Sequence, residues 1–285
     1  MRVMVIGGDG MLGHELVRAL SGKYEIGATF RRPLEAYAGT LMPKPAKAFG
    51  EVDVRDEHAV SRALTAYRPD VVLNAAGVVK QRSGVSADLE MAVNARFPHQ
   101  LAARCERIEA YLIHYSTDCV FSGRRGMYVE ADAPDPVDSY GSSKLLGEVT
   151  AEGCLTLRTS MVGFELFRKT GLLEWFLSQN EPVSGWRRAV FSGITTPEQA
   201  RVVARILDRQ PRLSGLYHVS SEPISKYELL SMIKRHFELD VRIVPDDTVI
   251  IDRSLDSGRF RAEFGYAPPA WEQMVAELAQ RLKRR

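Results

Sequence analysis

Residues 1–13 read MRVMVIGGDGMLG, an apolar run that breaks into glycines and resumes past Gly13 as an amphipathic pattern. A buried strand that turns directly into a helix through glycines admits few folds. Gly7, Gly10 and Gly13 stand at GxxGxxG spacing. Glycine there permits a tight turn, backbone approach to a pyrophosphate, and close packing of helix on strand. The helix then offers an anion its free N–H groups and the positive end of its dipole. The alternative is a plain strand–helix turn rich in glycine. The position after an apolar strand, opening an amphipathic helix, favours dinucleotide binding.

The rest of the first half repeats the alternation. Strands are predicted at Arg2–Ile6, Tyr24–Phe30, Ala48–Val54, Val71–Leu73 and Tyr111–Ser116, with helices at Met11–Ser21, Asp56–Tyr67 and Leu89–Glu106. A proline-rich excursion occupies 31–45. Strands separated by helices of this length imply an α/β protein with a doubly wound, Rossmann-type parallel sheet covered on both faces. After Thr159 the rhythm loosens into helical patterns at Leu172–Gln179, Pro197–Asp208, Ser225–Phe237 and Trp271–Arg284. Residues 1–160 are therefore expected to form the nucleotide-binding domain and 161–285 a smaller, mostly helical substrate-binding region, with the chain free to cross between lobes.

Composition narrows the function. A net charge of +2 over 285 residues gives no concentrated basic face for nucleic acid. The basic run Gln280–Arg285 reads as a solvated helix end whose cations favour the macrodipole. Cys105, Cys119 and Cys154 lack CxxC spacing, which argues against a disulfide framework and fits a reducing compartment. Six scattered histidines spell no metal site. No run approaches the ~20 apolar residues of a membrane span, and the N-terminus lacks a signal-peptide pattern. A cytoplasmic location is expected.

Further motifs fall at predicted strand ends, where open α/β sheets bind ligands. The second strand runs into Thr29-Phe30-Arg31-Arg32, where a cofactor with a free ribose hydroxyl would meet an acid. A guanidinium there suits a 2′-phosphate, so NADP(H) is favoured over NAD(H). Asp53-Val54 and Asn74-Ala75-Ala76-Gly77 follow the third and fourth strands, and Ser116-Thr117-Asp118 the fifth. In SYGSSKLLGE, Tyr140 and Lys144 share one helix face at i, i+4. An ammonium beside the phenol would lower its pKa and make it a useful proton donor. Tyr140 is thus the candidate acid, Lys144 its tuner and the holder of a nicotinamide ribose, and Thr117 the group that orients a carbonyl.

The ordered set GxxGxxG, DVRD (Asp53–Asp56), NAAG (Asn74–Gly77), STDxVFxG (Ser116–Gly123), YGxxK (Tyr140–Lys144) and RTS (Arg158–Ser160) resembles the extended short-chain dehydrogenase/reductases. Within them it is most similar to the dTDP-4-dehydrorhamnose reductase family. The resemblance implies hydride transfer from nicotinamide to C4 of a 4-keto-6-deoxy sugar linked to a nucleotide. It places Thr117, Tyr140 and Lys144 at the catalytic positions, and Gly10, Met11, Leu12, Arg31, Asp53, Val54, Ala75 and Ala76 against the cofactor.

Two departures bear on the substrate. Cys119 and Met161 stand where the family commonly places an aromatic residue and a tryptophan. The segment Phe191–Pro197 would lie near the sugar beside Asp118, Cys119 and Met161, and Arg187, Arg188 or Arg253 could pair with its phosphates. Trp175, Trp186 and Trp271 read as core. Two rivals stay open. One is an epimerase or dehydratase holding NAD(H) tightly, disfavoured because Cys119 is not acidic. The other is a non-catalytic, NADP-binding regulatory subunit like the family relative that regulates methionine adenosyltransferase. A homodimer is compatible with the pattern.

Overall fold

The computed structural model describes residues 1–38, 44–79, 84, 86–167 and 169–283. Part of the predicted proline-rich excursion and the last two arginines of the basic C-terminus therefore lie outside the described residues. In chain order the first lobe runs β1 (Arg2–Ile6), α1 (Met11–Leu20), β2 (Glu25–Thr29), β3 (Lys47–Phe49), α2 (Glu57–Tyr67), β4 (Val71–Asn74), α3 (Ala87–Glu90), α4 (Phe97–Arg107), β5 (Tyr111–Thr117), α5 (Ser139–Leu146) and β6 (Cys154–Thr159).

The second part holds β7 (Met161–Val162), α6 (Leu172–Leu177), β8 (Val183–Trp186), β9 (Ala189–Phe191), β10 (Ile194–Thr195), α7 (Thr196–Asp208), β11 (Gly215–His218), β12 (Ile224–Ser225), α8 (Lys226–His236), β13 (Ile243–Asp246), β14 (Ile251–Asp252), α9 (Gly258–Phe264) and α10 (Trp271–Leu282).

Seven strands form one parallel sheet in the order β11-β6-β5-β4-β1-β2-β3. Alternation along β1 explains why the sheet needs cover on both sides. Val3 and Val5 enter the core beneath α1 and α7, while Met4 and Ile6 enter the core beneath α2 and α4. Both sets are fully buried. The α/β Rossmann-type expectation holds. Its edge strand β11 comes from beyond residue 160, so the chain does return to the sheet.

Local details differ from the sequence reading. The third strand ends at Phe49, short of the expected Val54, and leaves Asp53 and Val54 beyond the sheet edge. The expected helix 89–106 is broken: a π-helical segment, Met91–Arg96, separates α3 from α4. Pro98 accounts for the break, because it has no N–H to bond the carbonyl four residues back. That carbonyl belongs to Asn94, whose side chain bonds both backbone groups of Val78 and the Ser143 hydroxyl. Two strands of the main sheet, β6 and β11, went unread, as did the small pairings β7/β10, β8/β13 and β12/β9/β14. Among the described residues no helix is long and apolar enough to cross a membrane.

Candidate active site

One cavity of about 1080 Å³ lies at the carboxyl ends of the strands, between the sheet and the short-stranded part. Its first wall is the glycine turn. Gly7 adopts φ +82°, open to glycine at little cost, and Gly10 caps α1 without a side-chain bond. The first turn of α1 carries no acid, so the dipole faces the cavity uncompensated. Gly7, Gly10, Met11 and Leu12 line the cavity. Gly13 does not: it packs α1 onto the turn after β1, where a Cβ would stand 2.0 Å from the Gly7 carbonyl oxygen. A dinucleotide pyrophosphate fits this turn.

The next wall carries Arg31, Arg32, Asp53 and Val54, with Asn74, Ala75, Ala76 and Gly77 behind them. Asp53 is held by Arg55 through three bonds, the backbone N–H to Oδ1 at 2.9 Å, Nε to Oδ1 at 3.0 Å and Nη2 to Oδ2 at 2.7 Å. The hydrogen bonds to Arg55 hold its carboxyl below the usual range. The Arg32 guanidinium lies 5.7 Å from the Phe167 ring centroid, so a segment of the second part, Glu165 to Phe167, reaches over this end. Nothing in the sequence reading marked that segment, and Arg55 figured there only as a member of the DVRD motif.

Thr117 ends β5, and Tyr140 and Lys144 face the same cavity from α5. Asp138 caps α5 by accepting the Gly141 N–H at 2.8 Å. A side chain at Gly141 would meet the Cys119 carbonyl at 2.2 Å, so the YGxxK glycine lets α5 close on the turn after β5. Thr117 Oγ1 donates to Asp118 Oδ1 at 3.1 Å and accepts the Cys119 N–H at 3.1 Å. The three sequence-predicted groups are brought together.

Their electrostatics differ from the expectation. Burial pushes the Tyr140 phenol above its ordinary range, Cys119 adds to this, and a hydrogen bond with Thr117 offsets part. The ammonium that was to lower it points elsewhere: Lys144 Nζ donates to the Tyr115 carbonyl at 2.6 Å. Desolvation therefore sets the direction at Tyr140. Lys144 is itself buried, and that burial lowers it from 10.5 to about 8 against the opposing pull of Glu148. Burial likewise raises Asp118, although Thr117 and Arg253 resist, and lifts the Cys119 thiol to about 12.

Of the residues expected to meet a substrate, Asp118, Cys119, Met161 and Arg253 line the cavity, and so does Phe191. Arg253 Nε donates to the Phe121 carbonyl at 2.9 Å, its Nη1 3.9 Å from Cys119 Sγ. Beyond Phe191, Ile194 and Thr195 leave the cavity to pair with β7. Arg187 is not brought to the site: it is exposed and paired with Asp247. Arg188 is exposed and outside the lining too. Trp175 and Trp186, read as core, line the cavity around Lys226, Trp175 also packing against the core, while Trp271 is buried as expected. Half-buried indoles beside a cation carry no sequence signature when 40 to 50 residues separate them.

Comparison with known proteins agrees with this geometry. The RmlD substrate binding domain model matches residues 1–284. A dTDP-4-dehydrorhamnose reductase of Burkholderia thailandensis is 34% identical over 57% of this chain, a match that covers half of that protein. A probable low-salt glycan biosynthesis reductase of Haloferax volcanii is 33% identical over 78% of this chain and 75% of its own length. The methionine adenosyltransferase 2 subunit beta of Rattus norvegicus is 26% identical over 87% of this chain and 77% of its own.

Among solved structures, a hypothetical dTDP-4-dehydrorhamnose reductase from Sulfolobus tokodaii superposes with a TM-score of 0.75 at 29% identity, over 92% of this chain and 94% of that one. The Bacillus anthracis dTDP-4-dehydrorhamnose reductase in complex with NADP shares the fold, with a TM-score of 0.79 at 21% identity over 98% and 99%. With the family model matched nearly end to end, the chain belongs to the RmlD substrate-binding-domain family, among the short-chain-type oxidoreductases of the extended class.

Proposed function

We propose that this cavity reduces the 4-keto group of a nucleotide-linked 6-deoxy sugar at the expense of NADPH, in the cytoplasm, as a step of nucleotide-sugar and cell-surface polysaccharide biosynthesis. One observation carries the reading: a single cavity joins the glycine turn and Arg31/Arg32 to Thr117, Tyr140 and Lys144. NADPH supplies the hydride. Gly7, Gly10, Met11 and Leu12 hold its pyrophosphate at the start of α1, Arg31 and Arg32 meet the 2′-phosphate, and Asp53 to Val54 and Asn74 to Gly77 bed the adenosine and ribose. Residues 1–160 supply most of this floor, and 161–285 bring the substrate to it.

A raised phenol suits this direction of reaction. Tyr140 stays protonated through the neutral range and can give its proton as negative charge grows on the carbonyl oxygen. Thr117 steadies that oxygen, and Lys144, charged below about pH 8, adds a cation in a water-poor site. The Burkholderia and Haloferax relatives are named reductases, which supports reduction over epimerisation.

The test is NADPH oxidation against a panel of nucleotide-linked 4-keto-6-deoxy sugars, with Tyr140→Phe alongside. Removing the proton donor should cost about 10²–10⁴-fold in kcat and leave NADPH affinity within about twofold. Tight NADPH binding with no turnover across the panel would instead favour a regulatory role like that of the methionine adenosyltransferase relative. Undiminished turnover in Tyr140→Phe would remove the residue from the mechanism.

A further inference from the structure

The end of the cavity formed by α6, β8 and α8 is built unlike the rest. Trp175, Trp186 and Lys226, one from each of these elements, line it together. Lys226 Nζ stands 4.0 Å from the Trp186 ring centroid and 4.8 Å from that of Trp175. One half-buried ammonium is thus clamped between two half-buried indoles.

An aromatic clamp does something an ion pair cannot. The indole faces hold the cation without cancelling its charge or accepting its strong hydrogen bonds. Burial alone moves this ammonium below the ordinary lysine range, and no acidic group among the described residues is seen to act on it. Of the other cations expected to meet phosphates, Arg188 is exposed and lies outside the cavity lining. Arg187 is paired with Asp247, and Arg253 donates to the Phe121 carbonyl. Lys226 keeps its donors for an incoming anion, in a setting where partial desolvation strengthens a charge-assisted bond.

We propose that Lys226, clamped by Trp175 and Trp186, is the anion subsite of this cavity and takes the diphosphate of a nucleoside-diphosphate ligand, with the indoles flanking its planar or apolar parts. The proposal rests on the nucleotide-sugar reading given above and adds to it which residues grip the nucleotide. The subsite belongs to the second lobe, whereas Thr117, Tyr140 and Lys144 belong to the sheet. Its contribution is therefore to affinity.

The experiment is calorimetry on the full chain saturated with NADP⁺, so that the cofactor end is filled, titrated with dTDP, UDP and thymidine. Both diphosphates should bind the wild type. Lys226→Met, which keeps an apolar stem against the indoles, should weaken them tenfold or more, and Lys226→Arg should recover part of the loss. Thymidine, lacking phosphates, should bind both proteins alike, and NADPH affinity should not change. Equal dTDP affinity in Lys226→Met and wild type would overturn the subsite, as would a wild type that binds neither diphosphate. Lys226-dependent dTDP binding without turnover of any keto sugar would keep the subsite and overturn the reductase reading.

Discussion

The two parts of the molecule are packed by different means. In the sheet lobe, the tightest glycine contacts are backbone to backbone. A Cβ at Gly13 would lie 2.0 Å from the Gly7 carbonyl, and one at Gly147 would lie 1.8 Å from the Asn94 carbonyl. In the short-stranded lobe, contacts run through side chains: a Cβ at Gly185 would meet the Ile243 methyl and the Tyr227 ring, each at 2.6 Å. The exceptions include two glycines: Gly193 faces the carbonyl of Ser160, the residue that follows β6, at 2.6 Å, and Gly27 on β2 would meet the Tyr67 ring at 2.8 Å. A backbone contact accepts glycine alone, whereas side chains can turn aside. One lobe is rigid by construction, and the other is adjustable.

The largest effect that tests this contrast is electrostatic. Arg158 on β6 is buried and holds Glu148 through Nε at 2.7 Å and Nη2 at 2.8 Å, while Ser116 donates to the same carboxylate at 2.6 Å. Arg158→Met leaves Glu148 buried and unpaired and should cost about 3–5 kcal/mol in urea unfolding. Adding Glu148→Leu should restore most of it. The second lobe's Arg187–Asp247 pair is about half exposed on both sides, and Arg187→Ala should cost under about 1 kcal/mol. Similar losses for the two arginines would erase the contrast.

Paired glycine replacements sharpen it. Alanine is favoured over glycine by about 0.5–1 kcal/mol inside a helix or strand, so only packing can make the change harmful. Gly13→Ala drives a methyl into the Gly7 carbonyl and should cost about 3 kcal/mol, with NADPH affinity falling as α1 lifts from the turn. Gly185→Ala asks two half-buried side chains to rotate and should stay within about 1 kcal/mol of wild type. Thermal midpoints of the two variants decide it, and a costlier Gly185→Ala would show the second lobe to be as tightly keyed as the first.

The same difference explains what could be read from the sequence. Gly13 of GxxGxxG and the glycine of YGxxK were legible because backbone contact leaves no alternative residue, and Gly7 because its φ of +82° favours glycine. The doubly wound sheet was legible because strands buried on both faces read as apolar runs. Strand β11, four residues at a sheet edge, gave no such run. The Trp175–Lys226–Trp186 clamp depends on where α6, β8 and α8 cross, and each member alone reads as core or surface. Tyr140 and Lys144 were found, but their pKa directions were not. Spacing reports who is adjacent, whereas burial decides which form is charged.

That burial gives the smallest effect. Lys144 is held at about 8 against an ordinary 10.5, so the folded state binds its proton more weakly than the unfolded chain does. Below about pH 8 both states are protonated, and the fold bears the full cost of the buried charge. Between about 8 and 10.5 the unfolded chain keeps a proton the native state has lost, so stability rises with pH; above that window the cost is gone. The shift corresponds to at most about 3 kcal/mol, less about 1 kcal/mol for the bond to the Tyr115 carbonyl. Lys144→Met should therefore be about 1–2 kcal/mol more stable than wild type in urea at pH 7, lose that advantage toward pH 10.5, and be catalytically impaired throughout. Lys226 is lowered in the same direction but only half-buried, so Lys226→Met should gain less. A Lys144→Met protein no more stable than wild type at pH 7 would mean that the sheet lobe yields enough to solvate its own ammonium, and the rigidity inferred from its glycines would not extend to the catalytic helix.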